Sequence, residues 1–101
     1  MNTLPIDWNQ WRGQWNDWKR AHKSQLKSCA KFAPGKNLMA DEILGSWEIN
    51  GRKVELSEVT MPDFSSAKYF GGDKRYIGVT YENESGPLVE SFEELNRELG
   101  L

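Results

Sequence analysis

The chain holds one histidine and one cysteine, His22 and Cys29, and these are its obvious candidates for nucleophilic or metal chemistry. On a continuous helix seven residues would separate them by about 10.5 Å along the axis, whereas a nucleophile and its base need about 3 Å. A zinc site needs several Cys or His ligands, and one of each falls short. His22 therefore reads as a packing or hydrogen-bonding residue and Cys29 as a small buried hydrophobe. The carboxylates Glu90, Glu93, Glu94 and Glu98 crowd the end of the chain, where the solvated face of a helix explains them. Phe70-Gly71-Gly72-Asp73 lacks the strand and helix context of a dinucleotide loop and the lysine of a phosphate loop, so it reads as a tight turn. Asn83-Glu84-Ser85 matches a glycosylation acceptor, which matters only in a secreted chain. No catalytic residue, metal or cofactor is expected, and the protein reads as a non-enzyme.

The pattern that demands an account is aromatic. Trp8, Trp11, Trp15 and Trp18 follow one another at spacings of three and four, and His22, Leu26, Cys29 and Ala33 continue the period. A buried aromatic side chain covers about 150–250 Å². Four on one helix face exceed the 300–600 Å² of the largest apolar patch on a typical monomer, at roughly 600–1,000 Å². Such a stripe must pack on its own sheet, on a second copy or on another molecule. Beside it on the helical wheel lie Arg12, Lys19, Arg20, Lys23, Lys27 and Lys31. Trp and Arg dominate interface energetics, so Trp8, Trp11, Arg12, Trp15 and Lys19 are the expected partner-binding residues. If the partner is a nucleic acid, Arg12, Lys19, Arg20, Lys23 and Lys27 would meet its phosphates while indoles stack on bases. A lipid interface fits less well, since the stripe has few Leu, Ile or Phe.

These side chains need a scaffold, and the sequence predicts an α+β one. A long N-terminal helix of about 26 residues, roughly 39 Å, would start near Asp7, with Gln10 completing a capping box, and stop at Pro34-Gly35. An antiparallel meander of four or five strands follows. Asn50-Gly51 is a two-residue hairpin turn that pairs Ile49 with Arg52, Glu48 with Lys53 and Trp47 with Val54. That register places Ile43, Trp47, Ile49, Val54 and Leu56 on one face, and Glu48, Lys53 and Glu55 on the other. Met61-Pro62-Asp63 should break the second strand, and a hairpin about Gly71-Gly72-Asp73 should join Tyr69-Phe70 to residues 75–82. A turn at residues 83–86 leads to a short strand at Leu88-Val89. Ser91 caps a final helix, with Glu94 at its third position, Phe92, Leu95 and Leu99 on one face and Gly100 as its stop. Both helices are expected on one face of the sheet.

Composition sets the outer limits. With 101 residues the chain suits one domain, residues 1–101. Seventeen residues are Ile, Leu or Val and twelve are aromatic, so aromatic area must supply much of the core. There is no apolar run long enough to span a membrane, no basic-then-apolar leader is visible, and one cysteine suits a reducing compartment, so a cytoplasmic protein is expected. The net charge of −2 is an average of unlike parts. Residues 1–37 carry seven basic and two acidic side chains, net +5, and residues 38–101 carry net −7. The leading expectation is a small soluble interaction protein that binds another protein, or its own copy by a head-to-tail or two-fold contact, through the Trp-rich basic helix and the acidic sheet surface. The alternatives are a nucleic-acid-binding accessory protein and a pocket protein whose aromatic-lined cavity holds a small ligand.

Overall fold

A computed structural model describes residues 5–30, 40–62, 73–82 and 84–101. Its elements run α1 (Trp11–Ala21), β1 (Lys27–Ser28), β2 (Ala40–Ile49), β3 (Arg52–Pro62), β4 (Asp73–Tyr81), β5 (Ser85–Val89) and α2 (Phe92–Leu99). The five strands form one antiparallel sheet in the order β1-β2-β3-β4-β5, a meander.

The Asn50-Gly51 hairpin forms as expected. Asn50 and Gly51 take φ of 51° and 80°, and Ile49, Glu48 and Trp47 face Arg52, Lys53 and Val54. Positive φ at both turn residues matches the right-handed twist of the flanking strands. One expected facing fails. A register shift between Ile43 and Gly45 puts Ile43 opposite Ser57 while Gly45 stands opposite Leu56. The extra residue, Leu44, reverses the alternation, so Ile43 leaves the face of Trp47, Ile49, Val54 and Leu56. Gly45 sits at φ 156°, and a Cβ there would lie 2.5 Å from Cη2 of Trp47, so the indole lies directly over the bulge.

The first helix is much shorter than its periodicity suggests. It ends at Ala21 with His22 as C-cap, and residues 22–25 turn through Gln25 N–H to His22 O at 2.9 Å. Lys27 and Ser28 then pair with Glu48 and Trp47 as β1, and Cys29 N–H reaches Ser46 O at 3.3 Å. Backbone bonds to a neighbouring strand have overridden the local helical pattern. The start also shifts. Asp7 makes its own turn, accepting Asn9 N–H at 3.0 Å, and Gln10 is the N-cap of α1 without a side-chain cap bond. β3 continues through Pro62, which stands opposite Asp73, and β5 begins at Ser85, three residues before the expected strand. Pro34-Gly35, Tyr69-Phe70 and Gly71-Gly72 lie outside the described residues.

α2 matches its sequence signals. Ser91 Oγ accepts Glu94 N–H at 3.1 Å, and Gly100, at φ 75°, sends its N–H to Asn96 O. Glu94 reaches back one residue further than a standard capping box, taking Glu90 N–H at 3.1 Å. Leu95 and Leu99 of α2, Trp11, Trp15 and Trp18 of α1, and Ile49, Val54, Leu56, Ile77, Val79 and Tyr81 of the sheet form one buried apolar cluster.

Candidate functional site

The tryptophans are the centre of that cluster. Trp11, Trp15 and Trp18 are 4%, 3% and 5% exposed. Their rings form a ladder: Trp8–Trp11 centroids are 4.8 Å apart, Trp11–Trp15 5.4 Å and Trp15–Trp18 5.3 Å, with His22 beyond at 5.1 Å. Phe92 of α2 stacks on Trp11 and Trp18, and Trp47 of β2 meets Trp15 edge-on. Trp18 Nε1 donates to Asn96 Oδ1 at 2.7 Å, which ties α1 to α2. The stripe is spent inside its own domain. Of the expected partner-binding residues, Trp11 and Trp15 are therefore buried and Trp8 is half-buried, its face covered by the Arg75 guanidinium at 4.5 Å. The expected interface of Trp and Arg on one exposed surface is not assembled.

The carboxylates also divide. Glu55 and Glu58 are both buried, but their odd spacing on β3 sends them to opposite faces. Glu55 lies in register with Ser46 and Thr80, and Ser46 Oγ donates to it at 3.2 Å. Glu58 faces Glu42 and Ile77 and is held by Arg75. They cannot act as a pair on one substrate. His22 Nδ1 is bound to Trp18 O at 2.9 Å, and Cys29 lies past β1, so these two share no helix face. Among the described residues no three His, Cys, Asp or Glu side chains gather as a metal site, and no helix is long and apolar enough to cross a membrane.

A cleft of about 340 Å³ opens at the hairpin end, lined by Glu48, Gly51, Arg52, Lys53, Tyr81, Glu82 and Glu84. It is charged rather than indole-lined, so it does not match the aromatic cavity that a pocket protein would need. Tyr81 forms its wall, with Arg52 stacked on the ring at 3.8 Å. The Tyr81 hydroxyl donates to the Glu98 carboxylate, and its pKa is pushed up to about 12 by burial, by that hydrogen bond and by the Glu98 charge. Asn50 Nδ2 donates to Leu99 O and Gly100 O at 3.2 and 3.1 Å, so the hairpin turn also caps the end of α2. These groups lock strand to helix. Sequence reasoning misses Arg75, Glu58 and Tyr81, and it assigns Glu98 to a solvated helix face although that carboxylate holds the Tyr81 hydroxyl. Extending the alternation of Val54 and Leu56 by one step would have placed Glu58 on the core face and demanded a cation for it.

What remains at the surface is charge, and it is unevenly matched. Arg12 pairs with Glu42, Arg20 with Asp17, Arg52 with Glu84, Lys53 with Glu82, Lys74 with Glu90, Arg75 with Glu58 and Arg97 with Glu93. The other described basic residues are Lys19, Lys23 and Lys27, none of which makes an ion pair with a described residue. Lys19 Nζ lies 5.4 Å from the Trp15 ring centre, and Lys23 and Lys27 are exposed. The three sit on the last turn of α1, the turn after it and β1. Apolar anchors do not surround them: Leu88, on the opposite edge strand, is the exposed large hydrophobic side chain among the described residues, at 40%. Of the residues expected to meet phosphates, Lys19, Lys23 and Lys27 thus keep their charge available, while Arg12 and Arg20 are engaged at home. Comparison of the chain with protein-family models, curated proteins and solved structures finds no match.

Proposed function

We propose that this is a small soluble, cytoplasmic, non-enzymatic interaction protein that docks on an acidic protein surface through Lys19, Lys23 and Lys27. One observation carries the reading. Seven of the ten described basic side chains are neutralised within the chain, and the three left over fall in one nine-residue stretch. Matched pairs contribute little to attracting a partner, whereas an unmatched run of one sign steers and orients association. The buried indoles argue for protein over nucleic acid, because single-stranded binding draws much of its energy from exposed aromatic platforms.

The test is a titration of the isotope-labelled chain, followed by amide chemical shifts, with polyglutamate and with single-stranded oligothymidine. Polyglutamate should shift residues 19–28, less so as salt rises from about 50 to about 200 mM, and a Lys19→Gln, Lys23→Gln, Lys27→Gln variant should not respond. Silence toward both probes, or shifts confined to other residues, would overturn the proposal. Stronger binding of the oligonucleotide would assign the lysines to nucleic acid instead. Sedimentation at low salt that shows two chains, reduced to one in the triple variant, would identify a second copy as the partner.

A further inference from the structure

An open antiparallel sheet has two edges, and here they are built differently. At one end β5 holds Pro87, which has no N–H to offer a neighbour. The register shift between Gly78 and Thr80 distorts β5 there, and Gly86 packs so closely on β4 that a Cβ would lie 2.7 Å from Val79 O. Proline and a bulge both blunt an edge. At the other end β1, two residues long, has neither proline nor bulge and is guarded by its length and by the charge of Lys27. Lys27 and Ser28 are exposed, and the described sheet continues only on their inner side, through Glu48 and Trp47. Cys29 N–H to Ser46 O extends that pairing by one bond. Lys27 lies on this same edge, Lys23 on the turn that feeds it and Lys19 on the last turn of α1, and none of them makes an ion pair with a described residue.

We propose that the acidic partner adds to the sheet as an extended strand alongside β1, its carboxylates meeting Lys27 and Lys23 and, past the strand's end, Lys19. This rests on the docking function proposed above and specifies the form in which the partner arrives. Main-chain hydrogen bonds supply part of the affinity in such additions, and side-chain charge supplies the selectivity. The lysine edge also discriminates. A second copy pairing β1 with β1 would bring Lys27 toward the Lys27 of its mate, and like charges opposed across an antiparallel pair are destabilising. An acidic strand meets no such penalty. Of Lys27, Ser28 and Cys29, only Ser28 turns its N–H and C=O away from β2, so backbone bonds alone are too few and both contributions are required.

The experiment uses the full chain and two forms of one short peptide of alternating Glu and Thr, the second N-methylated along one edge so that it keeps its charge and loses its donors there. The unmodified peptide should shift amides of residues 26–30 and show cross-strand nuclear Overhauser contacts to Lys27 and Ser28. N-methylation should weaken binding at least about tenfold, and Lys27→Glu should weaken it similarly. Equal binding of both peptide forms would overturn strand addition while leaving lysine docking intact. Contacts to β5, or shifts restricted to α1, would also overturn it. If neither peptide nor polyglutamate binds, the docking function itself fails, and that outcome is separate from the others.

Discussion

The two halves of the N-terminal segment look alike as sequence and end differently in the fold. Trp11, Trp15 and Trp18 turn inward, stack on one another and close the sheet. Lys23 and Lys27 turn outward, Lys19 lies half-buried beside the Trp15 ring, and all three find no counter-charge among the described residues. The difference follows from what each group loses in water. Indole area left exposed costs free energy in proportion to its size, so the fold absorbs it. A solvated ammonium costs nothing to leave alone, so the fold has no reason to match it. Aromatic patterning therefore reports on the core, and unmatched charge is what remains to report on a partner.

Substitutions in the inward half should have the largest effects on stability. Trp15→Ala removes a ring that touches Trp11, Trp18 and Trp47, and should cost about 4 kcal/mol in denaturant unfolding. Within the ladder, Trp18→Phe should cost more than Trp11→Phe. The first strands Asn96 without its donor, whereas the buried Nε1 of Trp11 has no partner among the described residues. Gly45→Ala tests the bulge beneath the ladder. Its Cβ would overlap the Trp47 ring at a φ that other residues rarely adopt, and a loss of about 3 kcal/mol is expected. A neutral Gly45→Ala would mean that Trp47 is free to move off the bulge.

Smaller effects come from the locks around the ladder. Arg75→Ala uncovers Trp8 and leaves Glu58 buried without its cation, and should destabilise by about 2 kcal/mol. Tyr81→Phe loses the hydrogen bond to Glu98, about 1 kcal/mol. Its clearer signature is in pH. Because the Tyr81 pKa is raised from 10.0 to about 12 on folding, its contribution is complete below pH 10.0 and is lost as pH rises to about 12. Unfolding free energies of the parent should fall more steeply through that interval than those of Tyr81→Phe. Parallel profiles would show that Tyr81 does not hold its proton more tightly in the fold.

Legibility followed the range of the interactions. The Asn50-Gly51 register and the Ser91 cap rest on residues within a few positions of one another, and both were readable. So was the destination of Trp47, Ile49, Val54 and Leu56. Ile43 was misplaced because a bulge exists only between two strands, and nothing local to Leu44 announces it. The first helix was overextended because His22, Leu26 and Cys29 keep the helical spacing by coincidence, while the pairing that claims Lys27 and Ser28 lies about twenty residues away. The same shortening moved Lys23 and Lys27 off the helix on which a basic flank had been drawn. Their charge was visible in the sequence. That they stay unmatched was not, because it depends on every other pair in the fold.

The smallest effect on stability should come from the outward half, and there a null result is informative. Changing Lys19, Lys23 and Lys27 together to Gln removes three charges that no described acid holds, so unfolding free energy should move by no more than about 1 kcal/mol. Lys19 is the residue with something to lose, since its ammonium lies near the Trp15 ring, and such contacts at exposed sites are worth about 0.5–1 kcal/mol. Lys19→Gln alone should account for whatever loss is seen, and Lys23→Gln with Lys27→Gln should be silent. A loss above about 2 kcal/mol from the latter pair would mean that these lysines are structural, and the contrast between inward and outward halves would collapse. A silent pair that also ends polyglutamate binding would separate the two roles cleanly: indoles for the fold, lysines for the partner.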